Sequence, residues 1–175
     1  MMEETTSNKI TLNTSSTKQP NENIYTQSIL KKRISLSIID VHGNIKEKLT
    51  QVIKNNIEKK CIVEGYVRPN SVNVLTYSSG VVDGYDVSFE VVFECDICFP
   101  VEGMQISCVV KDITKAGIRA VSELEPSPII VFIARDHNNQ NKAFSEVNPG
   151  DIITTTVIGH RFELNDPTIY IIAQL

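Results

Sequence analysis

The stretch from Glu102 to Val121 (Glu-Gly-Met-Gln-Ile-Ser-Cys-Val-Val-Lys-Asp-Ile-Thr-Lys-Ala-Gly-Ile-Arg-Ala-Val) constrains the fold of this chain more than any other. Gly103 opens a strand-like run from Met104 to Ile113, Thr114-Lys115 is a polar turn, and Ala116-Gly117 leads into a second strand, Ile118 to Val121. Two strands of one sheet joined by a tight corner are how a small five-stranded barrel begins. The downstream sequence supplies the other three strands. Pro126-Ser-Pro128 introduces Ile129–Ala134, a continuous apolar run suited to a core strand. Arg135–Lys142 is a polar loop, Pro149-Gly150 a turn, Asp151–Ile158 the fourth strand, His160–Pro167 a connection and Thr168–Leu175 the last strand.

Upstream of the barrel the pattern changes. Ile34-Ser-Leu-Ser-Ile38 alternates as a half-buried strand does, and Asp40-Val-His-Gly43 ends it with turn chemistry. Ile45, Leu49, Val52, Ile53 and Ile57 then form one face of an amphipathic helix that Asn44 can cap. Further strands are expected at Cys61–Val67, with Gly65 marking a bulge, at Ser71–Tyr77, and at Tyr85–Phe93, where Tyr85, Val87, Phe89 and Val91 share a face. Asp83-Gly84 is a hairpin signal. Residues 34–101 therefore read as an α+β module and 102–175 as an all-β barrel, an elongated two-domain chain. Residues 1–33 read as a disordered or partner-docking tail, too poor in apolar residues to offset the entropy of ordering, with Ile24, Tyr25, Ile29 and Leu30 as anchors. Lys31-Lys32-Arg33 is either a localisation or phosphate-contact element or a solvated charge cluster.

Composition narrows the functional classes. The formal net charge of −4 argues against affinity dominated by phosphate contacts. The longest apolar runs fall well short of a membrane span, and the polar N-terminus lacks a secretory signal, so an intracellular protein is expected. Cys95-Asp-Ile-Cys98 has metal-ligand spacing, but positions three apart on a strand face opposite sides, and Cys61 and Cys108 are scattered singly. Neither a phosphate-binding glycine loop nor a nucleophile elbow occurs, and His42, His137 and His160 lie in separate loops. No catalytic residues, metal or cofactor are expected.

The order of elements carries a resemblance. Gly103–Ile113, Ala116-Gly-Ile-Arg-Ala120 and Val147-Asn-Pro-Gly-Asp-Ile-Ile-Thr-Thr-Thr-Val-Ile158 resemble an S1-type barrel of the OB-fold. Preceded by Ile34–Ile38, the amphipathic helix, Val63-Glu-Gly-Tyr-Val67, Val87–Phe93 and a proline just before Gly103, they resemble the seventh subunit of eukaryotic RNA polymerase II and its archaeal counterpart in the polymerase stalk. The resemblance implies a non-catalytic stalk subunit with an N-terminal tip domain and a C-terminal S1/OB-fold barrel. The tip would dock on polymerase core subunits through Asn73, Leu75, Tyr77, Ser78, Ser79, Gly80, Val81, Val82, Asp83 and Gly84, a small helical partner would pack along the junction, and the barrel would lie beside nascent single-stranded RNA. Ile and Asn usage fits an AT-rich genome, such as that of a large DNA virus or a protist, placing the protein at the site of transcription in a nucleus, viral factory or virion.

The chain departs from that family in its additional tail, in its acidic approach to the barrel (Glu94, Asp96, Glu102) and at the barrel corner, where Ile118 and Ala120 replace base-stacking aromatics. Phe132 is the main aromatic on the third barrel strand. Alternation leaves its direction open, the core being the commoner reading. Lys115, Arg119, Phe132, Arg135, His137 and Arg161 are the RNA-contact candidates, against the alternative of scattered solvated charges. A free-standing S1/OB-fold RNA-binding factor of translation or RNA metabolism is the competing function. The lost stacking and acidic charge predict that the isolated chain binds single-stranded RNA no tighter than about micromolar. Fluorescence anisotropy checks this, and nanomolar binding would favour the free-standing factor.

Overall fold

A computed structural model describes residues 24–124, 127–138 and 142–175. The first strand, β1 (Tyr25–Ser37), runs into a single 3-10 turn, Ile38–Asp40, and then helix α1 (Ile45–Ile57). Short strands β2 (Cys61–Ile62), β3 (Gly65–Val67), β4 (Asn73–Tyr77) and β5 (Val81–Asp83) lead to the long β6 (Asp86–Cys98). Next come β7 (Gln105–Ile113), β8 (Gly117–Ser122), β9 (Ile129–Ala134), a 3-10 turn at Arg135–Asn138, the short helix α2 (Lys142–Glu146), β10 (Ile152–Arg161) and β11 (Ile169–Gln174).

Strand β6 organises the first half. On one side it pairs along its whole length with β1, from Tyr25 opposite Cys98 to Ser37 opposite Asp86. On its other side β3, β4 and β5 follow one another as a segmented antiparallel strand, and β2 extends the sheet from β3. Helix α1 covers one face. Its Asn44 side chain accepts a hydrogen bond from the Glu47 amide at 3.4 Å, and Leu49, Ile53 and Ile57 are buried against Ile34, Leu36, Val74, Val87, Phe89, Val91 and Phe93. The opposite face is polar: Lys31 pairs with Glu90 at 2.6 Å, Ser35 with Ser88 at 3.0 Å, and Gln27 and Asn73 both donate to Glu94. An antiparallel sheet with one packed and one solvated face needs this arrangement.

Two expectations are corrected here. The first strand starts at Tyr25, not Ile34, so residues 25–33 are sheet and not tail. The reason is the ladder to β6, which satisfies the backbone and pairs polar side chains across strands, contributions that apolar periodicity does not report. The rest of the expected tail, residues 1–23, lies outside the described residues. The expected strand over Cys61–Val67 is a tight hairpin of β2 and β3, in which Gly65 has φ +128° and a Cβ there would sit 2.5 Å from the Cys98 carbonyl oxygen. Gly65 is thus a turn and close-approach glycine, not a bulge.

The second half is a closed barrel in the order β7-β8-β9-β11-β10 and back to β7, with β9 and β11 parallel and the remaining pairs antiparallel. It is compatible with an OB-like barrel. Gly117 opens β8, where a Cβ would collide with the Ile133 carbonyl oxygen. Ile106, Cys108, Ile118, Ile129, Ile133, Val157, Ile169 and Ile171 fill the interior.

The two halves meet in a packed junction. Ile24, Cys61, Tyr66 and Cys98 from the sheet belong to the same apolar cluster as the barrel interior. The Cys61 amide donates to the Asp166 carbonyl, and the Asn165 amide to the Cys61 carbonyl, both at 2.8 Å. Phe99 lies edge-on to His160 at 4.8 Å and to Phe162 at 6.1 Å. The Arg68 guanidinium lies over the Tyr25 ring at 5.2 Å.

Gly65→Ala combines an unfavourable φ with a backbone clash at this junction and is expected to cost roughly 2–4 kcal/mol. Gly43→Ala, at φ +71° with open space around it, should cost only about 1 kcal/mol. Urea denaturation of both variants checks the contrast, and equal midpoints would contradict the clash.

Candidate functional site

Two surfaces collect the residues that sequence reasoning singled out. The first lies at the end of the sheet away from the barrel. Strand β6 has its Cys98 end in the barrel cluster, and its Asp86 end lies up to about 40 Å away by strand rise. There β5 turns through Gly84, φ +63°, and Tyr85 into β6, and the Ile38 amide donates to the Tyr85 carbonyl at 2.9 Å, docking the 3-10 turn on the hairpin. Val81, Val82, Ile39 and Tyr85 all face solvent, Tyr85 at 89% exposure. This is a contiguous apolar end on an otherwise polar sheet, the kind of patch that marks interaction sites.

The loop leading to it is held firmly. Ser78 bonds Glu90 twice, its amide donating to the Glu90 carbonyl at 2.9 Å and its Oγ accepting from the Glu90 amide at 3.0 Å. Gly80 lies so close to Val87 that a Cβ would approach Cγ1 to 2.5 Å. Tyr77 meets Phe89 edge-on at 6.1 Å, and Leu75 is partly exposed. Asn73 is further along β4, donating to Glu94 Oε1 at 2.8 Å, so it belongs to the polar face and not to the apolar end. Sequence reasoning missed Ile38, Ile39 and Tyr85. It set Tyr85 on one face with Val87, Phe89 and Val91, which are buried, but Tyr85 belongs to the Asp83-Gly84 hairpin, before the strand alternation begins.

The second surface is the outside of the barrel. Phe132 faces outward, 38% exposed, correcting the commoner core reading: β9 alternates with Ile129, Val131 and Ile133 inward. Strand register sets two rows across the outer face. One runs Ile172, Phe132, Arg119, Asp112; the other runs Arg161, Tyr170, Ile130, Val121. Arg119 pairs with Asp112 at 3.4 Å and Arg161 with Glu163 at 3.3 Å, both well exposed and thus weak. Tyr170 and Ile172 were missed, although the alternation of Ile169, Ile171 and Ala173 with Tyr170, Ile172 and Gln174 signals them.

The other RNA candidates lie elsewhere. Arg135 donates from Nε to the Lys115 carbonyl at 3.0 Å and from Nη2 to the Thr114 carbonyl at 3.4 Å, with its guanidinium over Phe144 at 5.1 Å, so it braces the β7–β8 corner. Lys115 is exposed on that corner. His137 borders a groove with Glu102, Gly103, Thr156 and Gln174. Of the six, Arg119 lies across from Phe132 and Arg161 stands two strands further along the same outer face, while Arg135 and Lys115 meet at the corner.

The cysteine pair separates as strand geometry requires: Cys95 enters the helix-covered core and Cys98 the barrel cluster. Among the described residues no group of three or more His, Cys, Asp or Glu is placed to hold a metal ion. Burial pushes the thiols up, Cys61, Cys95 and Cys108 to about 11 and Cys98 to about 12. Since the folded values lie above the unfolded one, their stabilising contribution is complete below about pH 9 and falls as pH rises through 11 to 12. Stability at pH 10 should be lower than at pH 7.5, by about 1 kcal/mol for each of Cys98 and Cys108. Denaturant titrations at the two pH values check this, and Cys108→Ser should lessen the pH dependence.

No helix among the described residues is long and apolar enough to cross a membrane. No family model matches the chain. It is similar to a protein of Acanthamoeba polyphaga mimivirus named "Putative DNA-directed RNA polymerase subunit L376", with 26% identity over 171 residues, covering 88% of this chain and 83% of the viral protein.

Proposed function

We propose that the chain is a non-catalytic stalk-type subunit of a multi-subunit DNA-directed RNA polymerase. The similarity to the mimivirus protein over most of both chains carries the reading. The apolar end of the sheet supports a docking role: Val81, Val82, Ile39 and Tyr85 are what a subunit needs to bury in a larger assembly. In this reading the contact with the polymerase core centres on residues 77–84, with Leu75 and Asn73 behind them on β4. The closed barrel then stands outboard, near the emerging transcript, and a small helical partner packs at the junction. Catalysis belongs to other subunits, and the protein acts wherever that polymerase transcribes, in a nucleus, a viral factory or a virion.

The packed junction suits this role. A subunit anchored at one end positions its other end only if the two halves do not flex apart, and shared core, backbone hydrogen bonds and an aromatic cluster all cross the boundary. The two arginines on the outer barrel face are each matched by a carboxylate, which favours a transcript contact that depends on the assembly over a free-standing RNA-binding factor.

A tagged copy expressed in its native host is expected to recover large polymerase subunits. Recovery without them would overturn the proposal. Val82→Asp with Tyr85→Asp should reduce recovery at least tenfold while leaving stability within about 0.5 kcal/mol, because both side chains are exposed. Undiminished recovery would move the docking site away from this end.

A further inference from the structure

We infer that the outer edge of β1 is the docking site of this chain's own N-terminal segment: residues 8–18 fold back through a turn at residues 20–23 and add a further antiparallel strand to the sheet. This docking is a property of the folded chain alone and does not depend on the polymerase reading.

The barrel is closed and has no edge, whereas the sheet ends on β1, a strand of 13 residues with β6 on one side only. Neighbouring bonds show which of its backbone groups point outward. Opposite Arg33 lies Glu90, whose carbonyl accepts from the Ser78 amide and whose amide donates to Ser78 Oγ, so both of its backbone groups face away from β1. Opposite Gln27, Asp96 is turned the same way, its carbonyl accepting from the Arg68 amide and its amide donating to Ser71 Oγ. The Ile38 amide, just past the strand, instead reaches the Tyr85 carbonyl. The two kinds of pair alternate along an antiparallel ladder. Even-numbered residues of β1 therefore bond β6, and odd-numbered residues from Tyr25 to Ser37 direct amide and carbonyl outward. Among the described residues no other strand pairs with this outer row.

Natural sheets blunt an open edge by shortening it, bulging it, or placing proline or charge on it. This edge is long, its register to β6 is unbroken and it holds no proline. It carries only Lys31-Lys32-Arg33 at its centre. Those cations argue against a second copy as the occupant, because two β1 strands paired antiparallel through their centres would set like charges opposite one another.

Connectivity points to the segment that precedes the strand. Ile24 is buried in the barrel cluster, so the chain enters β1 at its junction end and residues 1–23 lead directly to the open edge. Pro20-Asn-Glu-Asn23 is turn chemistry beside the start of the strand. A hairpin loop of about four or five residues there sets Leu12 opposite Leu30 or Lys31 and Ile10 opposite Lys32 or Arg33. Lys9-Ile-Thr-Leu-Asn13 alternates as a half-buried strand does, so Ile10 and Leu12 share a face. Ile29, well exposed, and Leu30, partly buried beside the helix-side core, give that face an apolar neighbour on either side of the sheet. A scarcity of apolar residues does not forbid the strand, since residues 25–33 include three consecutive cations and are still ordered by their ladder to β6. The tether supplies an effective concentration in the millimolar range, which a detached peptide lacks.

The test is amide hydrogen exchange of the isolated full chain by NMR, so recovery or loss of polymerase has no bearing on it. The even-numbered amides of β1, bonded to β6, report whether the sheet is intact. The outward amides of Gln27, Ile29, Lys31 and Arg33 are expected to exchange at least about tenfold more slowly than in an Ile10→Pro, Leu12→Pro double variant, since proline cannot donate to a ladder. A chain lacking residues 1–18 should show the same acceleration with its even-numbered amides still protected. Outward amides that exchange at unprotected rates in the wild-type chain would overturn the inference. Protection that survives both changes would overturn it as well, and its loss on dilution would then identify a second copy as the occupant.

Discussion

The structure depends on β6 being buried twice. Along most of its length one face is packed by α1 and the other is open, so its residues alternate between core and water. At the Cys98 end both faces are covered: Ile97 belongs to the helix-side core and Cys98 to the barrel cluster. One strand therefore passes from one hydrophobic core to the other without a linker between them. A flexible connection would let the halves reorient, as is the default for domains joined by small polar contacts. Here the backbone exchange between Cys61 and the Asn165–Asp166 turn fixes the approach, and Gly65 permits it by leaving room for the Cys98 carbonyl.

That continuity explains which sequence signals were easy to interpret. The helix was legible because its stripe, its asparagine cap and its polar face all follow a local period, and every barrel strand was placed within a few residues because turn chemistry brackets each one. The start of β1 was not legible. Residues 25–33 carry three consecutive basic residues and scattered polar ones, and their order comes from a partner strand more than fifty residues away. Gly65 was noticed but misread, since a bulge and a turn place the same demand on sequence and differ only in what approaches the backbone.

The candidate surfaces were half legible for a related reason. Surface residues of a strand are chosen by what they meet across the sheet, and register is invisible in one sequence. Phe132 was singled out as an aromatic in an apolar run, yet only the packing of Val131 and Ile133 shows that it points outward. The alternation of β11 signals Tyr170 as outward, but its place opposite Ile130 follows only from β11 lying parallel and adjacent to β9. Arg135 shows the opposite error: a cation in a polar loop looks free, but its Nε and Nη2 each donate to a backbone carbonyl of the facing corner.

The acidity of the chain and the stiffness of its junction bear on the barrel together. Phosphate contacts scale with released counterions, and a chain of net charge −4 whose outer-face arginines are paired with carboxylates gains little from them. What the structure fixes instead is the position of the barrel. A barrel that swung freely about the sheet would share its time among many positions, whereas the shared core at Cys98, the backbone exchange at Cys61 and the rings of Phe99, His160 and Phe162 hold it in one. Stiffness at the junction is therefore the property that any contact made by the outer face of the barrel inherits.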